Sequence, residues 1–325
     1  MASELITTIP ELKDHVAIDF ISNFDVIEPS VEDRERELKE KYLGEDLFDL
    51  LVSYAGGSTS VSVSDEDYLA QVLYYSRRAV ANLSLMDYMP EGQLNISESG
   101  IRINTGEGSM KQAFEWQIKN LQAKYEKTGY LALESLLKYL EENAEHFSTW
   151  TESDAYTANK AWFINTAKVF NENFFIDNSR LIFLKLLPDM KKVEEFYIRP
   201  AIGDDFFDEL KTFILNDNMP TSYSTVISLI RGAVANFTMF HGSDYIPYYK
   251  KKGQLEKGQL EIKKPEELEN WGNTYIQKLI YYLNNNASAS KFTNFYNSDQ
   301  YTDPDDYTGN SMYDNDDDDI NFYVV

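Results

Sequence analysis

The stretch RRAVANLSL at residues 77–85 returns later in the chain as RGAVANFTM at residues 231–239. Five of the nine positions are identical, and three more exchange similar side chains. Each copy follows an apolar run and carries small alanines that let another backbone approach closely, which is typical of a helix buried on most sides. We therefore predict that each copy is the central helix of its own bundle, at about residues 68–86 and 223–240.

Further matches flank both copies in the same order, as expected of a duplicated domain. IPELK at 9–13 matches LPDMK at 187–191, and LGEDLFD at 43–49 matches IGDDFFD at 202–208. FSTWTESD at 147–154 matches FTNFYNSD at 292–299. The sequence thus predicts a first repeat domain at residues 1–154, a second at residues 155–299, and a tail at residues 300–325.

The pattern after each central helix predicts the remaining elements. Alternating apolar and polar residues at 94–103 predict a short β-hairpin, with a counterpart at about 255–262. Long amphipathic helices follow from residue 114 and from Pro265, and a further amphipathic helix is predicted at 155–175. The predicted fold class is mainly α: two tandem duplicated helical-bundle domains, each with a short β-hairpin, plus an acidic C-terminal tail.

Composition narrows the classes of function. The chain has 325 residues, no cysteine and a net charge of −24, so it has no thiolate chemistry and lacks the clustered cations that bind nucleic acid. It has no apolar run long enough to span a bilayer and no signal-peptide pattern, so we expect a protein made in the cytoplasm and not bound to a membrane. The 23 tyrosines favour a protein that assembles with others.

Only one repeated polar pattern offers chemistry. The paired acids Glu45-Asp46 and Asp204-Asp205 each follow a glycine at a predicted helix start, where carboxylates stabilise exposed N–H groups. General acid–base or metal chemistry is the alternative interpretation. None of the three histidines recurs between the halves, and the aspartates near the C-terminus lack the glycine and closing glutamate of a calcium loop. We predict no catalytic residue, no cofactor and no metal site; calcium binding by these aspartates is the alternative interpretation.

Two arginines recur within largely apolar helices. A buried guanidinium requires a carboxylate or several carbonyls. The repeated acids after Gly44 and Gly203 supply such partners. We therefore predict structural ion pairs of Arg77 with Glu45 or Asp46, and of Arg231 with Asp204 or Asp205.

The tail combines an acidic stretch with an apolar end. Residues 299–319 are too polar and acidic to pack on their own domain, whereas INFYVV at 320–325 has the β-branched and aromatic composition of a strand that adds to a sheet edge. We predict that the tail docks on a partner. The docking residues are Ile320, Phe322, Tyr323, Val324 and Val325.

Taken together, the repeated pattern over residues 1–299 resembles a family of uncharacterised proteins from bacteriophages and prophages of Bacteroidetes. The residues that carry the resemblance are IGDDFF at 202–207, the two AVAN helices, Gly100-Ile101 in the hairpin, and the F-x-x-W motif at 147–150. These proteins are similar in size and helical content to head–tail connector (adaptor) proteins, which form rings beneath the portal.

The resemblance implies a structural virion protein. Such a subunit would form a homo-oligomeric ring, contact the portal and tail or neighbouring virion proteins, and surround an acidic channel through which DNA passes without specific binding. Two alternatives stay open: a cytoplasmic adaptor or scaffold that binds a basic protein, and a metal-dependent enzyme that uses the paired acids.

Overall fold

The computed structural model describes residues 3–18, 23–58, 63–92, 94–97, 100–103, 114–242 and 265–304. These residues are mainly helical, as predicted. The helices are α1 (Ile9–Lys13), α2 (Glu28–Leu38), α3 (Glu45–Ala55), α4 (Val63–Gly92), α5 (Glu115–Glu142), α6 (Ser148–Thr151), α7 (Asp154–Lys160), α8 (Ala167–Asn173), α9 (Arg180–Val193), α10 (Arg199–Ile202), α11 (Asp204–Leu215), α12 (Ser224–His241), α13 (Pro265–Asn286) and α14 (Thr293–Tyr296).

Two short strands follow α4. β1 (Leu94–Ser97) and β2 (Gly100–Ile103) pair antiparallel, with Ile96 opposite Ile101, in the region where the first hairpin was predicted. The region of the second predicted hairpin, residues 255–262, lies outside the described residues.

Contacts divide the described chain into two units. The first contains residues 3–160 and 176–185, and the second contains residues 161–175, 186–242 and 265–304. The chain first changes unit after Lys160, whereas the predicted domain boundary lies after residue 154, and residues 176–185 belong to the first unit again.

The first unit is built around α4. Residues 79–85 of this helix are all buried, and α5 packs along it. The two helices approach closely at Gly129 of α5, where an added Cβ would lie 2.6 Å from Cγ of Leu83. Glycine therefore allows the two helices to pack at this distance.

The second unit has the corresponding arrangement around α12. Residues 232–239 are buried, α13 packs along the helix, and an added Cβ at Gly272 would lie 2.7 Å from the ring of Phe237. The sequence pattern correctly predicted both central helices as buried. It assigned the close approach to their alanines, however, and did not identify the two glycines on the partner helices.

In each unit a π-helical turn and a glycine precede the next helix. The turns are Lys39–Leu43 in the first unit and Glu194–Ile198 in the second. Gly44 and Gly203 have φ of +80° and +81° and lie directly before α3 and α11. Such φ values favour glycine, so these two positions fix where the new helix begins.

Two details of the predicted fold are wrong. Residues 155–175 do not form one helix: α7 ends at Lys160, and α8 begins at Ala167, after an N-cap by Thr166. The alignment of residues 9–13 with 187–191 also fails, because the first range is the short helix α1 and the second lies inside α9. A helix with the same kind of start as α1 is α8, since Thr8 and Thr166 both cap their helices through the side chain.

Candidate functional site

A buried carboxylate of α2 binds the backbone of the segment that leads into α1. Glu35 is 4% exposed, and its Oε1 accepts hydrogen bonds from the N–H groups of Leu5 and Ile6, each at 2.9 Å. Its Oε2 accepts a third from the N–H of Glu4 at 2.6 Å. Burial raises the pKa of Glu35 to about 7, although the three N–H groups act in the opposite direction.

The guanidinium of Arg77 on α4 binds the carbonyl side of the same segment. Its Nε donates to the carbonyl oxygen of Leu5 at 2.8 Å, and its Nη2 donates to Oε1 of Glu11 at 3.0 Å. Glu35 and Arg77 thus satisfy donors and acceptors of a non-helical backbone that has little access to water. We call these two side chains the first clamp.

The predicted pairing of Arg77 with Glu45 or Asp46 is therefore wrong. Both acids are exposed in the first turn of α3, and Glu45 lies 3.4 Å from Nζ of Lys39. Their position at a helix start agrees with the prediction, but Arg77 lies beside the segment before α1 and binds Glu11 instead.

The second unit holds its own entering segment in a similar way. Glu194 is 0% exposed and accepts a hydrogen bond from the N–H of Phe163 at 2.8 Å, while Nε of Arg231 donates to the carbonyl oxygen of Phe163 at 2.8 Å. We call Glu194 and Arg231 the second clamp. Burial lowers the pKa of Arg231, an effect that the charge of Glu172 opposes.

The second clamp contains a cation that comes from α11. Nζ of Lys211 forms an ion pair with Glu194 and donates to the carbonyl oxygen of Ala161 at 2.7 Å. It also lies over the rings of Trp162, Phe163 and Phe207, at 4.9, 4.4 and 5.3 Å from their centroids. Burial raises the pKa of Glu194 and lowers that of Lys211, and the attraction between the two charges opposes both shifts.

The predicted pairing of Arg231 with Asp204 or Asp205 is also wrong. Both acids are exposed in the first turn of α11. Asp204 lies 3.4 Å from Nη1 of Arg199, which also contacts Asp208 at 3.1 Å. Arg231 binds the carbonyl oxygen of Phe163 instead.

An open cavity of ≈ 340 Å³ lies beside the first clamp. Its lining consists of five acidic residues, two basic residues and one aromatic ring: Glu4, Glu32, Glu35, Glu40, Glu45, Arg36, Lys39 and Phe48. The formal charge of the lining is therefore negative, and the cavity favours a cationic ligand.

Possible metal ligands do not converge in the part of the chain that the structure describes. No group of three or more His, Asp or Glu residues there could hold a metal ion. The histidines lie against aromatic rings. His15 lies beside Tyr74, His241 lies beside Tyr197, and His146 is stacked on Tyr68 with the ring centroids 3.9 Å apart. The predicted docking residues Ile320, Phe322, Tyr323, Val324 and Val325 lie outside the described residues.

The fold and the two clamps define a mainly helical protein whose buried carboxylates hold non-helical backbone. No helix within the described residues has the length and apolar character needed to cross a membrane. The chain belongs to a family of unknown function, DUF6712, whose model matches residues 40–160 and 257–305. No curated protein and no solved structure matches the chain.

The sequence contained a signal for the clamp carboxylates that motif reasoning missed. Glu35 lies nine residues before Gly44, and Glu194 lies nine residues before Gly203. The same nine-residue spacing before two repeated glycines identifies this pair of acids. No comparable spacing identifies Lys211, since Val52 occupies the corresponding position eight residues after Gly44.

Proposed function

We propose that the chain is a tandem duplication of one helical domain and that it serves as a structural subunit of a virus particle. The duplication is supported by the ordered sequence matches and by paired contacts within the units. In each unit an arginine of the central helix binds a carbonyl of the entering segment, and a glutamate nine residues before a glycine with positive φ binds its N–H.

The closing motif of each half supports the same proposal. Oγ of Ser153 donates to the carbonyl oxygen of Trp150 at 2.6 Å, and Oγ of Ser298 donates to that of Phe295 at 2.7 Å. Added Cβ atoms at Gly44 and Gly203 would lie 2.6 Å from Cβ of Ser153 and 3.3 Å from Cβ of Ser298. In each half, therefore, a serine of the closing motif lies against the glycine that precedes α3 or α11.

The role we propose is that of a head–tail connector (adaptor) subunit, which forms a ring between portal and tail. The observation that carries this proposal is a set of large apolar side chains left in water. Phe114 and Trp116 at the start of α5 are 68% and 61% exposed, and Phe196 in the second π-helical turn is 74% exposed. Exposed aromatic residues are characteristic of surfaces that bind other protein subunits.

The charge of the chain suits a channel for nucleic acid. With a net charge of −24, the walls of such a ring repel a polyanion, so DNA passes through without adhering. In this proposal the protein is made in the host cytoplasm and incorporated into the virion, and its tail docks on a neighbouring virion protein.

A second candidate is an adaptor or scaffold that binds a basic protein partner. The acidic cavity beside the first clamp favours it, since its five glutamates outnumber its two basic residues. This candidate predicts a monomer that binds a cationic partner, whereas the connector predicts a large ring.

Mass measurement in solution and electron microscopy of the purified protein test the connector proposal. We expect ring-shaped oligomers in the wild type, and a shift towards monomer when Trp116→Ser and Phe196→Ser are combined, because apolar contact area between subunits is lost. Asn120→Ser, an exposed polar change on α5, is the matched control and should leave the rings intact. A wild-type protein that stays monomeric, and is also missing from purified particles, would exclude the connector role.

A further inference from the structure

The second clamp encloses an ammonium group. Lys211 places its Nζ between the carboxylate of Glu194, a backbone carbonyl and three aromatic rings. These contacts provide opposite charge, a hydrogen-bond acceptor and cation–π attraction in one place. The second unit therefore contains a binding site for a primary ammonium group that its own chain fills.

The first unit has part of the corresponding walls, namely the carboxylate and one of the three rings, and it lacks the corresponding lysine. Counted from the glycine with positive φ, the clamp carboxylates Glu35 and Glu194 both lie at −9, and the rings of Phe48 and Phe207 both lie at +4. At +8 the second unit has Lys211, and the first has Val52. The side chain of Val52 packs against the core of its unit and carries no charge.

The outer cation, by contrast, is present in both units. Lys39 lies over the ring of Phe48 and contacts Glu45 and Asp49, just as Arg199 lies over Phe207 and contacts Asp204 and Asp208. The other basic residue of the cavity, Arg36, is paired with Asp33 at 2.6 Å. Both basic residues that line the cavity are thus held by acids, whereas the cation beside the clamp carboxylate, Lys211 in the second unit, has no counterpart at Val52.

The position beside Glu35, which corresponds to that of the Lys211 ammonium beside Glu194, has space and acceptors for a cation. The cavity of ≈ 340 Å³ includes Glu35, whose three N–H bonds use about three of the roughly four acceptor positions of a carboxylate. Four more glutamates line the same space. A compact ammonium on a flexible apolar stem suits such a site, because its three donors rotate freely towards several carboxylates.

We propose that this cavity is a binding site for a primary ammonium group, namely the side chain of a lysine presented by a partner protein. The partner's lysine takes the place that Lys211 fills in the second unit. The site requires no ring, so it extends beyond the connector role and can be tested on the isolated protein.

Backbone amide NMR of the perdeuterated full chain tests the proposal, because the N–H groups of Leu5 and Ile6 bond directly to Glu35. The probes are n-butylammonium, a pentapeptide with one central lysine, and the same peptide with that lysine Nε-acetylated. We expect saturable shifts of both amides with the first two probes and none with the acetylated peptide, since acetylation removes the charge. Binding of n-butylammonium without binding of the lysine peptide would overturn the protein-partner part of the proposal and indicate a small amine ligand.

A variant that supplies the missing lysine provides the second test. Val52→Lys should place an internal ammonium in the cavity and weaken probe binding at least tenfold. Ser53→Lys adds the same charge one residue further along α3 and should change binding less than threefold. Unchanged circular dichroism shows that both variants fold. The proposal is overturned if the wild type shows no saturable shift, or if Val52→Lys binds the lysine peptide as well as Ser53→Lys does.

Discussion

Replacement of the first-clamp carboxylate, Glu35→Gln, should remove a loss of stability that the wild type undergoes as the pH rises. The pKa of Glu35 is about 7 in the folded protein, against 4.5 for an ordinary glutamate. Because the folded state holds its proton more tightly than the unfolded state, the stabilising contribution is complete below pH 4.5 and is lost as the pH rises to about 7. At 1.36 kcal/mol per pKa unit, the whole change is about 3 kcal/mol.

The part of this change that can be measured lies above the pI of about 4.5, because proteins tend to precipitate near their pI. Between pH 5.5 and 8.5 the wild type should lose about 2 kcal/mol of unfolding free energy relative to the glutamine variant. Glutamine keeps an acceptor for Leu5 and Ile6 but places an amide nitrogen near the N–H of Glu4, at a cost of about 1 kcal/mol. About 1 kcal/mol of the whole change already falls below pH 5.5, so the two proteins should be about equally stable at pH 5.5, and the variant should be more stable by about 2 kcal/mol at pH 8.5.

Urea unfolding across this pH range gives the free energies, and hydrogen exchange of the peptide that contains Leu5 and Ile6 assigns the change to the first clamp. Glu40→Gln, an exposed acid just after α2, is the matched control and should follow the wild-type profile. Parallel profiles for wild type and Glu35→Gln would refute the reasoning, because they would mean that Glu35 titrates alike in the folded and unfolded states.

Two further changes test the second unit. Lys211→Met leaves Glu194 buried without its cation and should cost about 3 to 5 kcal/mol of unfolding free energy. Adding Glu194→Gln in a double variant should restore most of this loss. Losses that are additive in urea unfolding would contradict the pairing. Gly272→Ala places a Cβ 2.7 Å from the ring of Phe237 and should lower the unfolding free energy by about 1 to 3 kcal/mol, with a lower thermal midpoint. In the control Gly56→Ala the added Cβ has its nearest neighbour at 3.5 Å, so the thermal midpoint should change little. Equal shifts of the midpoint in both variants would argue against the close helix contact.

The helical class and the position of both central helices could be predicted from the sequence, because apolar periodicity is a local property of the chain. The observed α12 begins at Ser224 and ends at His241, within a residue of the predicted range at each end. The paired acids likewise lie in the first turns of α3 and α11, since a glycine followed by carboxylates is a local helix-start signal. These features depend on residues only a few positions apart.

The partners of the buried charges were decided by tertiary structure. Arg77 binds Leu5 and Glu11, 72 and 66 residues away, and no local pattern distinguishes those partners from the acids after Gly44. Contacts of the same kind, between residues far apart in the sequence, interrupt the helix predicted at 155–175. The backbone of Phe163 gives its N–H to Glu194 and its carbonyl to Arg231, so it is not available for helical hydrogen bonds. Periodicity reports which face of a segment is apolar, whereas the choice between a helix and a clamped segment depends on side chains that only folding brings together.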